Sequence, residues 1–139
     1  MRTTTDVHGV WRGKVVPYQR QTRRQRHTGY ETSKRAIGGH MLSRFYGLSN
    51  GQMSLPAITW PFFFGLLVSV PKTSAGLLPG NCGDFDNHIK AWLDAAQKAA
   101  LIPGDDARFF RGICTAPGGG FSRFEMGSEW RFSWQFLPA

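Results

Sequence analysis

Residues 62 to 70, "FFFGLLVSV", constrain the fold more than any other stretch of the chain. The run is bounded by Pro61 and Pro71 and is about half the ~18 apolar residues that a membrane helix needs. Its length and its aromatic and β-branched content predict instead a strand buried at the centre of a sheet. A second strand is read in "EWRFSWQFL". There Trp130, Phe132, Trp134 and Phe136 alternate with Glu129, Arg131, Ser133 and Gln135, so one face is predicted to be buried. "ARFFRGICTA" reads as a further strand and "PGGGFSRFEMGS" as a flexible connection. The glycines of "APGGGF" lack the lysine and the following helix of a phosphate loop, which leaves a hairpin-type connection.

Two segments carry helical periodicity. In "TSKRAIGGHMLSRFYG", Ile37, Met41 and Phe45 recur every four residues, Thr32 or Ser33 can cap, and Gly47 can terminate. His40, within it, reads as a packed or half-exposed histidine and not as a ligand. In "HIKAWLDAAQKAAL", Ile89, Trp92, Leu93, Ala96 and Ala100 line one side, with Asp86 or Asn87 as N-cap and Pro103-Gly104 as the stop. At 139 residues and 41% hydrophobic content, the chain fits one core. With 17 Gly and 8 Pro it has little room for long helices. The expected fold is a small single α+β domain, a mixed β-sheet packed against two main helices, over residues 14–139. A flexible, Thr-rich N-terminus, 1–13, is expected to precede it.

Charge is unevenly distributed. The net charge is +8, and residues 1 to 50 hold ten basic and two acidic side chains, whereas residues 51 to 139 hold seven of each. The surplus lies in the N-terminal third, above all in "GKVVPYQRQTRRQRHTGY", where Tyr, Gln and Thr interleave with the cations. That composition suits phosphate contacts, so a polyanionic partner is expected. Lys14, Arg20, Arg23, Arg24, Arg26, Lys34 and Lys72 are the expected DNA-binding residues. Two cysteines, Cys82 and Cys114, are too few for a disulfide framework, and no leader or membrane span is read, so a reducing cytoplasm is the expected setting.

Against this basic background, "GDFDNHIKAWLDAAQKAALIPGDD" gathers five of the nine acidic residues: Asp84, Asp86, Asp94, Asp105 and Asp106. If the lead-in is extended, Asp84 and Asp86 point to one face, and Lys90 follows one helical turn later. After the Pro-Gly turn the chain can return Asp105 or Asp106 to the first pair. Carboxylates a few ångströms apart repel by about 4 kcal/mol at an effective dielectric near 20, and a hard divalent ion would offset this. Helix capping and turn chemistry are the competing explanation for the same aspartates. A basic arm holding phosphates beside a metal-holding pocket is what phosphodiester cleavage needs, and this favours the metal site. Cys82 and His88 lack a second pair at zinc spacing, and His88 is expected to be an exposed first-turn residue.

The stretch "GDFDNHIKAWLDAAQ", followed by "GDDARF", resembles the signature of the RusA-type Holliday junction resolvases, D-[LIF]-D-N-x-x-K, then an Asp-Ala pair, then a D-D pair. "VPYQRQTRRQR" resembles, more weakly, that family's basic opening segment. The resemblance implies a RusA-like α+β homodimer, bacterial or phage-encoded, that uses Mg²⁺, with Mn²⁺ as a substitute, to nick opposing strands of four-way DNA junctions. It further implies Asp84, Asp86 and Asp106 as metal-binding carboxylates and Lys90 as the catalytic lysine. The loop before the motif, "KTSAGLLPGNCG", has one cation, Lys72, where the family is arginine-rich. The alternative expectation is a non-catalytic basic nucleic-acid-binding domain.

Overall fold

The computed structural model describes residues 7–16, 29–48, 58–80 and 82–139. Among these described residues five strands and two helices follow one another as β1 (Val7–Arg12), α1 (Glu31–Leu48), β2 (Phe62–Pro71), α2 (Phe85–Lys98), β3 (Phe110–Ile113), β4 (Arg123–Gly127) and β5 (Arg131–Pro138). The fold is α+β with one mixed sheet, as expected. Its order is β1-β5-β2-β3, with β4 also pairing β2. β2 is the central strand. It runs antiparallel to β5, with Phe64 opposite Phe136 and Val68 opposite Phe132, and parallel to both β3 and β4.

The sheet face beneath the helices is aromatic. Phe62, Phe64, Leu66 and Val68 of β2 and Phe132, Trp134 and Phe136 of β5 are all fully or almost fully buried. Each such side chain contributes about 1.5–3 kcal/mol by leaving water. α1 brings Ile37, Met41 and Phe45 to this core, as its four-residue spacing requires. α2 brings Ile89, Trp92, Leu93 and Ala96, and Trp92 lies 6.0 Å from Trp134 between ring centroids. Gly38 lets the helices approach closely, since a Cβ there would come within 3.2 Å of the Ala95 carbonyl oxygen.

The structure departs from the sequence expectations at several points. Val7–Arg12, assigned above to a flexible terminus, is β1, an antiparallel partner of β5. Gly9 makes that pairing possible, because any Cβ there would lie 2.8 Å from the Trp134 ring. "PGGGFSRFEMGS" is a tight turn followed by β4, and β3 and β4 form no hairpin, since both align along one edge of β2. Between them the chain crosses over Gly65, where the Thr115 carbonyl occupies the space a side chain would need. In α1 the Ser33 hydroxyl accepts the Val16 N–H and caps nothing, and Gly47 lies within the helix. α2 ends at Lys98. Ala100, expected on its buried stripe, is exposed with φ 62°, and the Leu101 N–H bonds to the Ala96 carbonyl and the Ala100 N–H to that of Gln97. This is a Schellman ending with alanine at the left-handed position where glycine is usual.

Candidate functional site

The amino end of α2 is fixed from below by aromatic packing. Gly83 takes φ 84° and turns the chain, after which Asp84 occupies the N-cap position with extended backbone (φ −83°, ψ 147°). The cap is thus Asp84 and neither Asp86 nor Asn87, and its side chain makes no capping hydrogen bond. The Asp84 carbonyl accepts the N–H groups of Asn87 and His88, and Phe85 packs edge-on against Phe124 of β4 at 5.5 Å. Asp84 and Asp86 are both exposed, and no described residue forms an ion pair with either. The positive end of the helix dipole favours both charges.

His88, expected to be exposed, is fully buried, with Phe124, Trp130 and Phe132 around its ring. Its Nε2 lies 2.7 Å from the Cys82 carbonyl oxygen, so the ring N–H donates there and ties the residues before Asp84 to the helix. Burial pushes the imidazole below its usual value, and the hydrogen bond to Cys82 opposes this in part. The imidazole therefore meets the carbonyl of Cys82 and not its thiol.

Lys90 follows Asp86 by one turn and approaches Asp94, Nζ to Oδ1 3.6 Å, while the Tyr30 hydroxyl donates to Asp94 Oδ2 at 2.6 Å. Two of the expected DNA-binding cations share this end of the sheet. Lys14 follows β1 with its Nζ 5.8 Å from the centre of the Trp130 ring, and Lys72 follows β2. Lys34 lies on α1, 3.1 Å from Glu31 and 4.8 Å from the centre of the Tyr30 ring. Arg20, Arg23, Arg24 and Arg26 lie outside the described residues.

Asp106 lies at the opposite end of α2. After Lys98 the chain passes Leu101, whose carbonyl meets Ile58, and the Asp106 carbonyl then accepts the N–H groups of Phe109 and Phe110, where β3 begins beside the start of β2. Asp84 instead neighbours Phe124, which pairs with Val68 near the far end of β2. A helix of this length spans about 20 Å. Asp106 is also engaged, its Oδ1 accepting Arg108 Nε at 2.9 Å and its Oδ2 accepting Nη2 at 2.8 Å. Arg108 holds that carboxyl well below the usual range, at about 2. The clue to this pairing was the spacing in "GDDARF", with the arginine two residues after the second acid.

No protein-family model matches the chain, and no curated protein matches it.

One chain thus places Asp84 at the cap, Asp86 in the first turn and Lys90 one turn further along α2, and Asp106 stands apart. Among the described residues no three His, Cys, Asp or Glu side chains are grouped closely enough to hold a metal ion. Asp84 and Asp86, expected beside Asp106, are not brought next to it within the one chain. Among the described residues no helix is long and apolar enough to cross a membrane.

Proposed function

We propose that this protein is a structure-specific DNA endonuclease of the RusA type that works as a homodimer in the cytoplasm of a bacterial host, encoded by the host or by a phage. The observation that carries the reading is the exposed Asp84–Asp86 pair at a helix amino end, with Lys90 one turn on and Lys14 and Lys72 at the same end of the sheet. Cations beside exposed carboxylates suit a site that must hold a phosphodiester and an ion together.

The separation of Asp106 gives the reading a specific form. A two-fold axis can set the amino end of α2 in one copy against the Asp106 end of the other, and symmetry then forms the pocket twice. Two equivalent pockets suit a four-way junction, whose opposing strands are themselves related by two-fold symmetry. Mg²⁺, or Mn²⁺ in its place, is the cofactor such a carboxylate set would take, supplying polarisation of the phosphate and an activated water. The chain's own residues have narrower tasks. Lys90 is within reach of the same face as Asp86 and would stabilise charge developing on the phosphate, and Lys14 and Lys72 would hold flanking phosphates.

The commitment of Asp106 to Arg108 favours a second reading, a non-catalytic nucleic-acid-binding domain. Labelled four-way junctions incubated with Mg²⁺ separate the two. The nuclease reading expects paired nicks that Asp84→Asn lowers at least a hundredfold while junction binding is kept. Binding without nicking, unchanged by Asp84→Asn, would leave the second reading.

A further inference from the structure

α1 and α2 enclose a cleft of ≈ 270 Å³ between Gly38, Gly39 and Leu42 on one side and Ala95 and Ala99 on the other, rimmed by Lys34, Arg35 and Lys98. The two glycines have different explanations. Gly38 permits the helices to touch, but a Cβ on Gly39 would meet nothing within 4 Å. An exposed glycine inside a helix weakens it relative to alanine and here serves no packing contact. What it leaves is open space in the cleft.

The rim is ordered by one acid. Glu31 reaches Lys34 and Lys98, each at 3.1 Å, and the bonds to Lys34 and then Lys98 hold its carboxyl below the usual range. One carboxylate thus gathers two ammonium groups from different helices, and Arg35 adds a third cation, so the rim keeps a surplus of two positive charges. An apolar floor between fixed cations is complementary to a sugar–phosphate backbone, with sugar carbons below and phosphate oxygens at the rim.

We propose that this α1–α2 cleft binds the phosphodiester backbone of a nucleic-acid strand. The proposal deepens the nuclease reading and rests on it for the identity of the strand. Asp86, Lys90, Asp94 and Lys98 recur every four residues along one stripe of α2. Lys98 is twelve residues from Asp86, about 18 Å along the axis. A strand laid along α2 from the acidic pair therefore reaches the cleft within a few phosphates.

The test measures binding in the absence of divalent metal, so that it does not depend on cleavage. Affinity of the full-length protein for a labelled four-way junction and for a linear duplex is measured by anisotropy across a salt series, for the wild type, Arg35→Ala, Lys98→Ala and Gly39→Leu. Arg35→Ala and Lys98→Ala should each weaken binding about tenfold and lower the slope of log K against log salt by about one. Gly39→Leu, which fills the cleft without changing charge, should weaken binding with its thermal midpoint held or raised. Unchanged affinity and slope in all three variants, with the wild type still binding DNA, would overturn the cleft and leave the nuclease reading standing. A wild type that binds neither DNA at low salt would overturn both. Loss of binding to anionic phosphatidylserine vesicles in the same variants, with DNA binding unchanged, would reassign the cleft to a membrane surface and overturn the proposal.

Discussion

At the amino end of α2, Asp84 and Asp86 are exposed on a platform made by Phe85, His88, Phe124 and Trp130, and no described cation pairs with them. At the other end, Asp106 is also exposed, yet both of its oxygens are taken by Arg108. The contrast shows that a cluster of acids in sequence is not one electrostatic object. One end holds charge that no described cation pairs with, and the other carries its own counter-ion two residues away.

The largest effect expected from breaking this contrast is at His88. Replacing it with alanine opens a cavity among Phe124, Trp130 and Phe132 and removes the bond to the Cys82 carbonyl, which should lower stability by about 2–4 kcal/mol in denaturant titration. Amide shifts should move around Asp84 and stay fixed around Asp106. Equal movement at both ends would mean that the platform is not local.

The dependence on pH sharpens the same point. Burial lowers the pKa of His88, and burial followed by the Arg44 charge lowers that of His40, which accepts the Trp134 indole N–H at 3.0 Å. Below the ordinary value of 6.5 the unfolded chain therefore binds more protons than the folded one. Stability should be at its plateau above that pH and fall as the pH drops from about 6.5 towards 5, as read from thermal midpoints. A midpoint that rises over this interval would contradict the placement of both rings.

A smaller change is expected at Asp106. Arg108→Ala should return the carboxyl from about 2 towards its ordinary 3.8 in an NMR titration, with no measurable change in the thermal midpoint because the pair is exposed. If the midpoint falls clearly, Arg108 supports more than one carboxylate.

The central strand and β5 were legible because periodicity and composition agree in them: "FFFGLLVSV" is apolar but for Ser69, and Phe132, Trp134 and Phe136 strictly alternate. β1 was not, since the residue it turns inward between Val7 and Trp11 is Gly9, present for the Trp134 ring and invisible to a hydrophobic pattern. β4 was hidden in a glycine-rich stretch and exists because β2 has an edge free beyond Gly65. His88 looked polar in a polar motif, and its burial depends on Phe124, Trp130 and Phe132, more than thirty residues later. That a helix starts at these acids and carries Lys90 could be read locally, although its cap, Asp84, lies ahead of the expected Asp86 or Asn87. The distance to Asp106 could not, because it depends on α2 running back along β2 before the chain turns.

Mixing Asp84→Asn with Asp106→Asn, each inactive alone, tests most directly whether two copies share the pocket. If one copy supplies Asp84 and the other Asp106, half of the pockets in a mixed dimer carry both substitutions and half carry neither, so nicking of a labelled junction should return on mixing, limited to one strand per dimer. A mixture as inactive as its components, under conditions where subunits exchange, would contradict the shared pocket.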